Sequence, residues 1–202
     1  MKLLYVLDLG SLGCWRSLAA TRQLAEETGV ELSVLPLTRT LGNVADDSKG
    51  GSDDPLAVYK ARRARARNLS ADAELRRNCD AMGISHEAGG RSLDTNLVSR
   101  AMLQLPEASA RLDFAERCYR AHFAEAKNLA DPAEVDRLLA TSLSVSADEL
   151  ADVAEELTER GVFSAPAYVL DTGHEEPERF HGRQHLPLVR WMIEGSKGTP
   201  PV

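Results

Sequence analysis

Cysteine is scarce in this 202-residue chain: Cys14, Cys79 and Cys118 stand alone, with no Cys-x-x-Cys pair and no zinc-ligand spacing. That excludes a disulfide-stapled scaffold and predicts a reducing compartment, hence a cytoplasmic protein. No apolar run approaches the roughly 20 residues that span a bilayer, so no membrane association is expected. The opening residues begin with a charge at Lys2 and turn apolar as a signal peptide would. Asp8 interrupts them, however, and no small-residue cleavage site follows. A basic excess is also lacking. With 24 Lys and Arg against 31 Asp and Glu, the net charge is −7 and the pI about 5.3, without the electrostatic footprint of a nucleic-acid binder. None of the five histidines forms an i, i+4 pair on one predicted helix, and no metal site is expected. Internal repeats are absent as well.

What is present is an ordinary globular composition, 43% hydrophobic, 27% charged and 5% aromatic. The length suits one compact domain, or a domain carrying a large insertion. Leu3–Leu7 is a short apolar run that stops at Asp8 and Gly10, which predicts a buried strand. A helix follows from near Ser11, its period carried by Leu18, Thr21, Leu24 and Ala25 until Gly29 ends it. Val30–Leu37 predicts a second strand, and the β-α-β opening has a connection long enough for a parallel crossover. Residues 42–55 are rich in Gly, Asp and Ser and predict a loop. From Pro55 to about Arg160 the pattern is helical, with helices expected near 55–78, 93–104, 107–127, 132–141 and 147–160. Ser146-Ala-Asp-Glu149 is a capping box, and Gly161 stands where a helix-ending glycine belongs. Strand pattern returns at 167–170 and 178–181, followed by an amphipathic helix over about 184–194. The order predicts an α/β unit split by a helical insertion.

Two segments carry chemistry. In Asp8-Leu-Gly-Ser-Leu-Gly-Cys-Trp15 a strand turns into a helix, and the unpaired N–H groups and dipole of a helix N-terminus favour an anion there. A thiolate placed there would be stabilised. Two readings stand side by side: Ser11 as an active hydroxyl or a plain N-cap, and Cys14 as a working or a buried thiol. The second segment is Gly161-Val-Phe-Ser-Ala-Pro166, where a proline precedes a strand. A cis Ala165–Pro166 bond would turn the Ala165 backbone outward to meet an extended ligand.

Together these features resemble the thioredoxin fold, and more specifically its DsbA-like group, which holds a helical insertion. That group includes the 2-hydroxychromene-2-carboxylate isomerases and the kappa-class glutathione transferases. The resemblance rests on the two segments above, in order with Leu93-Asp-Thr-Asn-Leu-Val-Ser-Arg-Ala101, Tyr119-Arg-Ala-His-Phe123, Asn128-Leu-Ala-Asp-Pro132 and Phe180-His-Gly-Arg-Gln184. It implies a thioredoxin-like domain, residues 1–50 and 161–202, interrupted by an all-helical insertion domain, 51–160. In redox members the first motif is Cys-x-x-Cys; here it is Ser11-x-x-Cys14. Without the exposed thiol, disulfide exchange lacks its attacking group.

In glutathione-dependent members a serine holds that place and hydrogen-bonds the glutathione thiolate. The resemblance therefore implies Ser11 as catalytic residue and glutathione as cofactor. Ser11, Cys14, Ala165, Pro166, Gly182, Arg183 and Gln184 would surround it. Trp15, Lys49 and His181 would line the substrate pocket. Lys49 is the cation nearest to Leu41-Gly-Asn-Val44, after which Ala45 and Asp46 take the family's Phe-Lys places. Gln184 stands where an aspartate is usual, and Leu12-Gly13 replace Pro-Tyr. The implied activity is glutathione-dependent isomerisation of an aromatic-catabolic intermediate or related conjugated acid. Alternatives are a kappa-like transferase, and a thiol oxidoreductase or binding protein with a degenerate motif. A homodimer is the implied assembly. Arg62, Arg63, Arg65 and Arg67 form a basic run read either as attracting an acidic ligand or as a solvated helix face.

Overall fold

Strand β1, Lys2–Leu7, is buried over five of its six residues. In the computed structural model, which describes residues 1–38, 55–142, 144–173 and 176–201, it is one of the two central strands of a four-stranded sheet. Helix α1, Leu12–Thr28, follows, closed by Gly29 at φ 66°, and leads into β2, Glu31–Pro36. Helices α2 (Pro55–Met82), α3 (His86–Gly89), α4 (Asn96–Leu103), α5 (Ala108–Tyr119), α6 (Pro132–Leu139) and α7 (Ala147–Glu159) come next. Strands β3, Ala167–Asp171, and β4, Glu178–His181, then return to the sheet before α8, Leu186–Ile193. The strand order is β2-β1-β3-β4, with β1 parallel to β2 and antiparallel to β3, and β3 antiparallel to β4. This is the thioredoxin-like arrangement expected from the sequence.

The period of two in β1 sorts its side chains. Leu3, Tyr5 and Leu7 enter the main core with α1, α4 and α5, whereas Leu4 and Val6 face Leu157 of α7 and Val162. A strand covered on both faces must be largely apolar, which is why 3–7 carries no charged residue. The helical segment shares that main core: Phe114, Cys118 and Tyr119 of α5 pack in one cluster with Leu3, Tyr5 and Leu18. Arg111 ties helices to sheet through backbone carbonyls, donating to Leu105 O and Val34 O at 2.7 Å each and to Leu103 O at 3.4 Å.

Two elements depart from the expected pattern. The helix predicted over 107–127 ends at Tyr119 and widens into a π-helical turn, Arg120–Ala124, followed by Ala126 at φ 57°. Ala121, His122 and Phe123 are all buried, which is more of the helix circumference than one amphipathic stripe supplies. The last helix begins as a 3-10 turn, Arg183–His185, and becomes α-helical at Leu186, with Pro187 in the first turn where no N–H is needed. Among the described residues no helix is long and apolar enough to cross a membrane.

Candidate active site

After β1 the chain tightens at Asp8, whose carboxylate accepts from Gly10 N (2.8 Å) and whose carbonyl accepts from Ser11 N (3.0 Å). Ser11 stays extended, at φ −113° and ψ 119°, and its Oγ accepts from Cys14 N at 3.4 Å. The hydroxyl thus caps the helix as an acceptor and keeps its O–H for an outside partner. Its position is half-buried at the N-terminus of a 17-residue helix with no acidic residue in the first turn, a place that favours negative charge.

Cys14 lies one turn deeper and is fully buried; its Sγ accepts from Asp8 N at 3.3 Å. Below it runs a buried polar ladder that the sequence pattern did not reveal. Tyr5 Oη donates to Cys14 O (3.2 Å) and meets Ser17 Oγ (2.8 Å), while Thr21 Oγ1 meets Tyr168 Oη (3.1 Å). Tyr119 Oη, from α5, donates to Asp8 O at 3.0 Å. Burial raises the pKa of all three phenols, Tyr168 to about 12, so they stay neutral and act as donors near neutral pH. The ladder holds the Asp8–Ser11 turn from beneath.

Opposite Ser11, the Ala165–Pro166 peptide bond is cis, and Gly182 N donates to Pro166 O at 2.7 Å. A Cβ on Gly13 would stand 3.5 Å from Ser11 Oγ, 3.8 Å from Pro166 Cδ and 3.9 Å from Asn78 Nδ2. Gly13 is therefore the point where α1, the proline loop and α2 converge. Around it lie two connected clefts. The first, about 420 Å³, is lined by Ser11, Leu12, Leu75, Leu93, Ala165 and Pro166 among others. The second, about 260 Å³, holds Arg16, Glu74, Arg77, Gly182, Arg183 and Gln184. Gly13, Glu74, Asn78 and Pro166 border both. Arg16 Nη1 donates to Asn78 Oδ1 at 3.2 Å, joining α1 to α2 at this border.

Ser11, Ala165 and Pro166 thus meet around one cleft, and Gly182, Arg183 and Gln184 around its neighbour. Cys14 sits beneath the first cleft and lines neither. Trp15 turns into the core, stacked on Tyr119 and Phe123 with ring centroids 6.0 Å away in each case. His181 is exposed and meets Ser164 Oγ through Nδ1 at 3.0 Å, outside both linings. Lys49 and the 41–46 segment lie outside the described residues. Sequence reasoning missed Arg16, Glu74, Leu75, Arg77 and Asn78, because nothing in a charged helical pattern says which face meets α1. Gly89 was a readable signal. A Cβ there would overlap Cys79 Sγ and stand 2.7 Å from Leu12 Cδ1, so only glycine lets α3 close the cleft wall.

The sheet order, the helix starting at Ser11 and the proline loop define a DsbA-like thioredoxin fold with a helical insertion. Solved structures bear this out. A 2-hydroxychromene-2-carboxylate isomerase superposes with a TM-score of 0.62 at 16% identity, covering 97% of this chain and 94% of that one. The cytosolic disulfide reductase DsbM from Pseudomonas aeruginosa gives 0.62 at 14% identity, covering 97% and 98%, and its structure with GSH gives 0.61 at 14% identity with the same coverage. No protein-family model matches the chain, and no curated protein matches it in sequence. At these identities the likeness establishes the fold.

Proposed function

We propose that this protein is a glutathione-dependent isomerase of the 2-hydroxychromene-2-carboxylate isomerase type, acting in the cytoplasm on an aromatic-catabolic or similar conjugated acid. The observation that carries it is the Ser11 hydroxyl at the N-terminus of α1, open to a cleft whose other wall is Ala165–Pro166. The donor set fits glutathione: a hydroxyl for the thiol, guanidinium groups of Arg16, Arg77 and Arg183 for carboxylates, and Glu74 for the ammonium. When bound, glutathione supplies a thiolate that adds to a conjugated carbon and departs once the substrate has isomerised.

The chain's own part is to keep that sulfur ionised and placed. Ser11 donates its O–H to the sulfur, and the α1 N-terminus favours the charge; both lower the thiol pKa. In this reading the Ala165 backbone, in the cleft lining, pairs with the extended peptide. Leu12, Leu75 and Leu93 give the apolar wall that a conjugated substrate needs and keep water from it. A kappa-like transferase would use the same residues and release the conjugate, so product analysis separates the two. Thiol exchange through Cys14 is disfavoured by its complete burial.

Isothermal titration of reduced glutathione, repeated with S-methylglutathione and with the Ser11→Ala variant, tests the reading. Saturable binding that weakens without the thiol or the hydroxyl supports it, and no heat at millimolar concentration overturns it. A homodimer belongs to the same proposal. Lys60, Arg62, Arg63, Arg65 and Arg67 on α2 and Asp148, Glu149, Asp152, Glu155 and Glu159 on α7 are exposed groups of opposite charge. Light scattering should give twice the 22.0 kDa chain mass at low salt and a shift toward monomer at high salt; monomer under both conditions counts against it.

A further inference from the structure

A further cavity, of about 520 Å³, adjoins the Ser11 cleft; the segment 90–93 forms a wall of both. Its far side is built by the two backbone departures of the helical segment. The π-helical turn Arg120–Ala124 and the left-handed Ala126 bring Lys127, Asn128 and Leu129 back beside His122, with Lys127 N donating to Ala121 O at 2.8 Å. A π turn and a left-handed alanine are each costly, and such features recur at binding sites.

Arg91 and His122 clasp each other across this cavity. Arg91 Nη1 donates to His122 O at 3.3 Å, and His122 Nε2 meets Arg91 O at 3.4 Å. His122 is only 5% exposed, and burial above all pushes its pKa below 6.5. The imidazole is therefore neutral near pH 7, and the cavity's positive charge rests on Arg91 and Lys127. Among the described residues the protein uses Nη1 of the half-buried Arg91 guanidinium, and Arg91, with five N–H donors in a planar fork, lines the cavity. Lys127 is exposed at the rim, and Glu87, the one carboxylate of the lining, is exposed too.

We propose that this cavity is a carboxylate-binding site for the electrophilic second substrate. Arg91 holds the carboxylate in a bidentate pair, Lys127 adds charge, and the conjugated end passes along the 90–93 wall toward Ser11. The direction of the conjugated end rests on the reading of Ser11 as the thiol site; capture of the carboxylate by Arg91 does not. Arg91 is then a specificity residue, and acids are favoured over their neutral amides.

The test is isothermal titration of the full chain with trans-cinnamate, a conjugated acid, and with its neutral amide. Saturable cinnamate binding is expected, with the amide at least about tenfold weaker. Arg91→Gln should lose about tenfold in affinity and Lys127→Gln a few-fold, while Lys2→Gln, exposed at the end of β1 far from Ser11, changes nothing. Lys127 is exposed, so its variant keeps the test valid even if Arg91→Gln unfolds. No saturable cinnamate binding at millimolar concentration overturns the proposal, as does equal affinity for the amide, or unchanged affinity in the Arg91 and Lys127 variants. Displacement of cinnamate by S-methylglutathione would also overturn it, since the cavity would then hold a carboxylate of glutathione itself. If glutathione fails to bind and Arg91-dependent cinnamate binding persists, the isomerase reading falls and the site stands.

Discussion

At position 11, the start of α1, the chain carries a hydroxyl and not a thiol. That hydroxyl is half-buried at the helix start, while the sulfur of the motif, on Cys14, is sealed under it with Asp8 N donating to it. On the proposed function, Ser11→Ala should lower the isomerisation rate by about a hundredfold, the scale of removing one preorganised donor. Because the cap bond to Cys14 N is long at 3.4 Å, the same change should cost only about 0.5 kcal/mol of stability. Steady-state kinetics beside a denaturant titration measures both; equal losses in folding and rate would reduce Ser11 to a cap. His122 makes a second residue-scale prediction. Its folded pKa is lowered, chiefly by burial, so the unfolded chain binds its proton more readily. Its contribution to stability is complete above the unfolded value of 6.5 and is lost as pH falls from there through the lowered folded pKa. Denaturation midpoints between pH 7.5 and 5 should decline, and His122→Gln should flatten that decline.

Elements were legible wherever local signals and burial agreed. The Ser146 cap was read from its sequence, and Ser146 Oγ accepts from Glu149 N at 3.3 Å. The β1 run and the helix stop at Gly29 also match their local signals, whereas the cis bond before Pro166 has none, since proline alone admits both isomers. The π-helical turn after Tyr119 was illegible, since Arg120–Ala124 carries ordinary helix-forming residues and widens only to bury Ala121, His122 and Phe123 together. The four-residue α3 was missed for the same reason: its position is set by contact with Cys79 and Leu12, not by its own period. Gly89→Ala tests that contact. The added methyl meets Cys79 Sγ and Leu12 Cδ1, which should cost about 1–3 kcal/mol and weaken ligand binding at the neighbouring Ser11. Unaltered stability would show that α3 can shift away freely.

At the scale of the whole molecule, the helical segment and the sheet share a large apolar core. Far-UV and near-UV circular dichroism should therefore report coincident transitions. Arg111→Leu removes the donors to Val34, Leu103 and Leu105 carbonyls and should lower the common midpoint by about 2–3 kcal/mol without splitting it. Two separated transitions would show instead that the helices hold together apart from the sheet.

By itself the sequence determined the alternation of strand and helix, the cap at Ser11, a serine and not a cysteine three residues before Cys14, and the proline before the third strand. Each of these is written in hydrophobic period, capping chemistry or residue identity within a few positions. Only the tertiary structure decided which side chains complete the clefts. Glu74, Arg77 and Asn78 join Arg16 around Pro166 because α2 packs on α1, and Arg91 meets His122 where a helix widens about thirty residues away. Such meetings depend on the angles at which helices pack, and those angles are set by the summed shape of the core, which no local pattern encodes.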